Sequence, residues 1–122
     1  MATTELTREN FDEVLDGNDM ILIDFWASWC GPCRFFGPVY ERVSGRHDGI
    51  MFGKVDTEAQ PELAGAFGIT SIPTLMIIRE NVVLYAQPGA LPEQELEKLI
   101  DGARAVDLDD VRRQAAERER SA

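Results

Sequence analysis

Apolar residues change their spacing several times along this chain, and each change marks an element. After Thr7, a suitable helix cap, Phe11, Val14 and Leu15 recur at i, i+3 and i+4. That is the period of an amphipathic helix, ending near Gly17. Met20 to Trp26 then reads as a strand. Its two alternating sets, Ile21, Ile23, Phe25 and Leu22, Asp24, Trp26, are both mostly apolar, so both faces are covered and the strand is central. A helix is predicted from Cys30-Gly31-Pro32-Cys33 to about His47, with Pro38 inside it removing one backbone hydrogen bond and kinking it. Met51 to Val55 suggests a second strand. Pro61 to Phe67 reads as a helix opened by proline, and the β-branched, apolar run Thr74 to Ile78 as a third strand. Val82 to Tyr85 forms a fourth, reached through Glu80-Asn81, where Asn tolerates a left-handed backbone. Pro92 to Ala103 places Leu96, Leu99, Ile100 and Ala103 on one helical stripe, which packs against the sheet.

Strands alternating with helices and closing on a hairpin define an α/β sandwich with a mixed sheet. Asp107 to Arg120 adds a further helix with Asp107 as its cap and a thin apolar stripe of Leu108, Val111 and Ala115. So thin a stripe buries little area, so the extension is expected to be solvated rather than docked on a partner. No repeat or linker divides the core, so residues 1–104 are expected to form the domain and 105–122 a C-terminal extension.

Charge narrows the function. Twelve Lys and Arg stand against 22 Asp and Glu, a net charge of −10 at pH 7. The extension nearly balances, with three Asp and two Glu against four Arg, so nine of the excess negative charges belong to residues 1–104. Nucleic acid and anionic lipid would be repelled. The apolar runs fall far short of the roughly 20 residues that span a bilayer, so a soluble protein is expected. The first residues lack a basic flank and apolar segment, which points to the reducing cytoplasm, where two cysteines are an improbable structural staple.

Cys30 and Cys33 carry the chemistry. Two thiols three positions apart at a strand-to-helix junction lie on neighbouring points of one turn and can exchange between dithiol and disulfide. Unpaired amides and the helix dipole there stabilise a thiolate. Cys30 is expected to be exposed and nucleophilic, and Cys33, a turn deeper, to resolve the mixed disulfide. The other readings are a zinc half-site, inert core thiols or a structural disulfide. Zinc needs about four ligands, and the single His47 with two Cys leaves the set incomplete, so no metal site is expected. His47 reads as a surface residue near a helix end. Asp24 lies inside a strand covered on both faces, so its carboxyl is desolvated and its pKa raised. Lys54 reads equally as a solvated strand-edge residue or as a neighbour of that acid.

The segment Asp24-Phe25-Trp26-Ala27-Ser28-Trp29-Cys30-Gly31-Pro32-Cys33 resembles the active-site stretch of thioredoxins. Pro38, Lys54, Ile72-Pro73-Thr74 and Gly89 fall where that family has its helix kink, strand lysine, cis-proline loop and groove glycine, so the resemblance spans roughly residues 6–104. It implies the thioredoxin fold, a central mixed sheet with helices on both faces. It also implies that Asp24 deprotonates Cys33, with Lys54 tuning the acid and Gly31 and Pro32 setting how reducing the couple is. Trp29, Ile72, Pro73, Gly89 and Ala90 would bind substrate, with a cis bond before Pro73 turning that loop toward the sulfurs. Thr57, Ser71 and Pro88 are polar or rigid where small or apolar residues are usual, which alters the rim. The implied activity is protein-disulfide reduction by a monomer that binds no cofactor and is recharged by a thioredoxin reductase using NADPH. Its partners would be that reductase and disulfide-containing clients. The rival readings are a disulfide oxidase or isomerase and a thioredoxin-fold binding scaffold.

Overall fold

The computed structural model describes residues 2–121. Along them run β1 (Thr3–Glu5), α1 (Phe11–Asp16), β2 (Met20–Trp26), α2 (Gly31–Ser44), β3 (Met51–Asp56), α3 (Pro61–Ala66), β4 (Thr74–Arg79), β5 (Val82–Pro88), α4 (Glu93–Ala105) and α5 (Leu108–Ser121). The sheet order is β1-β3-β2-β4-β5. β1, β3 and β2 run parallel, while β4 is antiparallel to both β2 and β5. The mixed α/β sandwich expected from the periodicity is the fold observed. Among the described residues no helix is long and apolar enough to cross a membrane.

β2 is central, as its two apolar sets require. Leu22 packs with Phe52, Leu75 and Ile77 against Phe36, Val39, Tyr40 and Val43 of α2 and Leu96 and Ile100 of α4. Ile21, Ile23 and Phe25 face the opposite layer, with Leu6, Val55, Leu63 and Met76 beneath Phe11, Val14 and Leu15 of α1. From Met20 to Ile23 successive residues therefore alternate between two separate apolar clusters, the arrangement of a strand covered on both faces.

β1 was not foreseen. Thr3-Thr4-Glu5 carries no apolar alternation, and the strand is made by backbone pairing along the edge of β3. It is anchored by the next residue: Leu6 donates its N–H to the Lys54 carbonyl at 2.8 Å and is fully buried. Leu6 lies flat over Gly53, where a Cβ would meet Leu6 Cδ1 and stand 2.8 Å from Cγ. Gly53 thus marks a close approach between β3 and the chain that covers it.

Helix and turn boundaries moved for local reasons. Thr7 does cap, but it caps a turn. Its N–H reaches Asn10 Oδ1 at 2.8 Å while the Asn10 N–H reaches Thr7 Oγ1 at 3.3 Å, and the helix starts only at Phe11. Pro38 lies inside α2, which ends at Ser44 rather than His47. In the β4–β5 turn both Glu80 (φ 48°) and Asn81 (φ 67°) are left-handed, the pairing that suits a two-residue hairpin. His47 lies just past the end of α2 and is partly covered there, its side chain 14 % exposed and held between Glu97 Oε1 at 2.6 Å and Arg104 Nη2 at 2.9 Å.

α4 ends against Arg79. One guanidinium nitrogen of this β4 residue lies 3.0, 3.2 and 2.8 Å from the carbonyl oxygens of Ala103, Arg104 and Val106. A helix C-terminus leaves such acceptors unpaired, and a cation there also meets the negative end of the dipole. α5 follows at once, capped by Asp107, whose Oδ1 accepts the Asp110 N–H at 3.2 Å. Leu108 is buried, whereas side chains from Arg112 to Arg120 are exposed.

Replacing Gly53 with Ala drives a methyl into the fully buried Leu6 and is expected to destabilise the fold by about 1–3 kcal/mol. Urea unfolding measures it, and trimming the obstacle with Leu6→Val in the same chain should recover part of the loss. A Gly53→Ala variant as stable as the parent would show that β1 can lift away at no cost.

Candidate active site

Cys30 is the N-cap of α2, in extended conformation just before the first helical residue. It is bonded to Cys33, with Cα atoms 5.2 Å apart. The bridge sits where β2 hands the chain to α2, through Ala27, Ser28 and Trp29. Cys30 Sγ accepts the Cys33 N–H at 3.2 Å, the one side-chain capping bond of this helix end. Pro32 between them has no N–H to offer. The free donor of the first turn is therefore aimed at the Cys30 sulfur, where it would stabilise a thiolate once the bond is reduced.

The expectation that Cys30 is exposed needs correction. Cys30 and Cys33 are 5 % and 4 % exposed and share a small cluster with Ala27, against which Trp26 and Ile72 pack. Ile72 from the facing loop covers them: its carbonyl oxygen lies 3.8 Å from Cys30 Sγ.

That loop reaches the sulfurs through a cis bond between Ile72 and the buried Pro73. Pro73 in turn accepts the Gly89 N–H at 2.8 Å, joining the start of β4 to the end of β5. Gly89 adopts φ +121°, which side-chain-bearing residues rarely do. The Ile72 N–H has no hydrogen-bond partner among the described residues. Gly89 is exposed beside this loop, whereas Ala90 is half-buried and packs against the α2–α4 core.

Trp29 stands 65 % exposed, and its Nε1 donates to Glu58 Oε1 at 2.6 Å. Nothing in the sequence pointed to Glu58, which lies in the turn after β3. Thr57 beside it gives both its N–H (2.9 Å) and its hydroxyl (3.0 Å) to the Trp26 carbonyl. Its polarity thus serves to tie that turn to the end of β2.

Asp24 is fully buried in β2, as expected, and neither carboxylate oxygen has a hydrogen-bond partner among the described residues. Burial pushes its pKa from 3.8 up to about 7, with the positive charge of Lys54 opposing the shift. Lys54 is the direct register partner of Asp24 across the β2–β3 ladder. Of its two readings the neighbour is the one observed: β3 lies inside the sheet between β1 and β2, and Lys54 is half-buried. Its Nζ lies over the Trp26 ring, 5.0 Å from the centroid. It lines a pocket of about 430 Å³ with Thr3, Glu5, Trp26, Glu41 and Asp56. Tyr40, on the same side of the sheet, is wholly buried and donates its hydroxyl to the Gly53 carbonyl at 2.8 Å. Burial foremost, and then the carboxylates of Asp24 and Glu41, hold its phenol well above the usual value. Nothing in the sequence placed Tyr40 beside the acid.

Among the described residues no group of three or more His, Cys, Asp or Glu is placed to hold a metal ion. The arrangement serves electron transfer through sulfur: a reversible bond at a helix N-terminus, a donor aimed at one sulfur, and a protonatable acid in the strand that leads to it.

A disulfide so placed on this sheet defines a thiol-disulfide oxidoreductase of the thioredoxin fold. The thioredoxin family profile matches residues 2–102, and the chain belongs to the thioredoxin family. A Streptomyces coelicolor protein provisionally named thioredoxin 2 is 60% identical over 121 residues, covering 99% of this chain and 90% of its own. A thioredoxin of Chlorobaculum thiosulfatiphilum is 43% identical over 99 residues, 80% of this chain and 92% of its own. Among solved structures, Plasmodium falciparum thioredoxin superposes with a TM-score of 0.76 at 31% identity, covering 82% of this chain and 98% of that one.

The raised pKa of Asp24 has a sign in stability. Between about 3.8 and about 7 the unfolded chain has released a proton that the folded chain still holds, so stability falls as pH rises through that window. Asp24→Asn removes this loss. Relative to the parent it should gain stability from about pH 4 to about pH 8, by roughly 4 kcal/mol at most. Urea midpoints at both ends of the range test this, and a difference that does not change with pH would mean that the carboxyl titrates normally.

Proposed function

We propose that this thioredoxin reduces protein disulfides in the cytoplasm, with residues 1–104 as the redox unit and 105–122 as an appended helix. The observation that carries the reading is the Cys33 N–H aimed at Cys30 Sγ at the head of α2. In the reduced protein the Cys30 thiolate attacks one sulfur of a client disulfide, forming a mixed disulfide and expelling the other client sulfur as a thiolate. Asp24 takes the proton of Cys33, whose thiolate then attacks Cys30 Sγ. The second client sulfur leaves and is protonated. Two electrons have passed to the client and the Cys30–Cys33 bond has formed; the proton held by Asp24 goes to one client thiolate, and solvent protonates the other.

Each remaining residue has a role in this reading. Lys54 tempers the charge on Asp24, and Gly31 and Pro32 set the reducing power of the couple. Ile72 offers an unpaired N–H and a carbonyl to an extended client segment, as one further strand would require. Pro73 and Gly89 hold that loop in place, and Trp29 shields the rim. Ala90 supports the groove from its inner side. A thioredoxin reductase drawing on NADPH returns the electrons, so the chain itself acts as a monomer with no bound cofactor. Its net charge of −10 keeps nucleic acid and anionic membranes out of its set of partners.

Cys33→Ser should stop the cycle at the mixed disulfide and retain client proteins that a reductant releases; an empty trap would remove Cys33 from the resolving role. The reduction potential of the couple, titrated against a dithiol buffer, should lie below the cytosolic glutathione poise. A potential near that of oxidising foldases would instead assign disulfide formation. Asp24→Asn should slow resolution by roughly 10²-fold and abolish the inflection near neutral pH, both read by stopped-flow.

A further inference from the structure

α2 exposes an apolar ridge that neither the core nor the cis-proline loop uses. Among the described residues the large exposed hydrophobics are Trp29, Phe35 and Val83. Val83 lies in β5 beside the hairpin turn, whereas Trp29 and Phe35 flank the disulfide in sequence. Phe35 is 72 % exposed, more than Trp29. Pro32, Phe35 and Pro38 are all exposed and follow one another at i, i+3 and i+6, so they lie one above another on a single helix face. The next residue, Phe36, points the other way into the core and is fully buried. A single exposed aromatic is ordinary, but this one stands in a row that begins at Pro32, inside the bridge itself.

Arg34 gives the ridge a sign. Its guanidinium bonds to the neutral Ser28 carbonyl at 3.3 Å. Among the described residues no carboxylate pairs with it. In a chain of net charge −10, this is an uncompensated positive charge beside the reacting bond. The next residue of the same loop, Trp29, holds the opposite charge, that of Glu58. The two ends of the site are thus electrically different, which fixes the direction in which a charged segment would lie.

We propose that Pro32, Phe35 and Pro38, with Arg34 beside them, form a second docking surface for the client, selecting disulfides that carry an exposed apolar side chain next to a carboxylate. This rests on the reductase reading and adds a substrate class to it. A client captured at Cys30 must approach the head of α2, so the ridge is continuous with the surface where exchange takes place. Covering Phe35 removes apolar area from water, and the carboxylate neutralises Arg34. Phe35 acts on encounter and binding, so replacing it leaves the potential of the couple unchanged.

Single-turnover reduction of two short disulfide-closed peptides by the pre-reduced full chain tests this. One peptide carries Leu and Glu on the arm beyond a cysteine, the other Ser and Lys. The parent should reduce the Leu/Glu peptide at least about fivefold faster, the equivalent of about 1 kcal/mol. Phe35→Ser should erase most of that preference while Phe35→Leu keeps it, and Arg34→Gln should remove its salt dependence. Equal rates for both peptides, or a preference that survives Phe35→Ser, would overturn the surface alone. Failure to reduce either peptide would overturn the reductase reading and the surface with it.

Discussion

Everything at the active end depends on one strand being covered on both faces. β2 lies between β3 and β4 and between two apolar clusters, so its course is fixed from Met20 to Trp26. That rigidity lets a carboxyl remain in a place that disfavours its charge. On an edge strand Asp24 would hydrate and behave as an ordinary acid, whereas here burial raises its pKa and the lysine paired with it across the ladder opposes the shift. The same rigidity delivers the chain to the head of α2 in one orientation, with Cys30 as the cap. The acid and the sulfurs are therefore not independent features. Both follow from a two-sided strand that ends at a helix N-terminus.

The sheet also explains why the second half of the site comes from so far along the chain. β4 runs antiparallel to β2, so the start of β4 lies beside the end of β2, with Thr74 paired to Phe25. The loop before it, Ile72-Pro73, is thereby brought over the disulfide. β5 turns back and pairs Pro88 with Thr74, which brings Gly89 to the same edge. Three segments separated by about 15–40 residues in sequence meet because strand order and direction leave them no other place.

How much of this was legible depended on whether the signal was local. The two apolar sets of β2 announced a central strand, and the Trp29–Cys33 motif announced the chemistry. Asp24 stood out because a carboxyl within an apolar run needs an explanation. β1 was hidden because Thr3-Thr4-Glu5 forms a strand through its backbone alone, and only Leu6 is committed to the core. Glu58, Tyr40 and the Arg79 contact were hidden for a different reason: each depends on a partner supplied by another element, and its own neighbours in sequence say nothing of it. The place of Cys30 at the helix head suggests exposure, but Ile72, supplied by a loop about 40 residues further along the chain, lies over the bridge and leaves Cys30 buried.

The grip of Arg79 on the end of α4 fixes where the appended helix departs. Arg79 pairs with Met20, at the opposite end of β2 from Trp26, and six residue steps of strand span about 20 Å. α5 therefore leaves from the pole of the molecule remote from the disulfide, anchored by buried Leu108 and by Arg112, whose guanidinium bonds to the Glu80 carbonyl at 3.3 Å, with its later turns exposed. A cargo, label or solid support attached through that helix would hold the protein by its inert end and leave the reactive one facing outward.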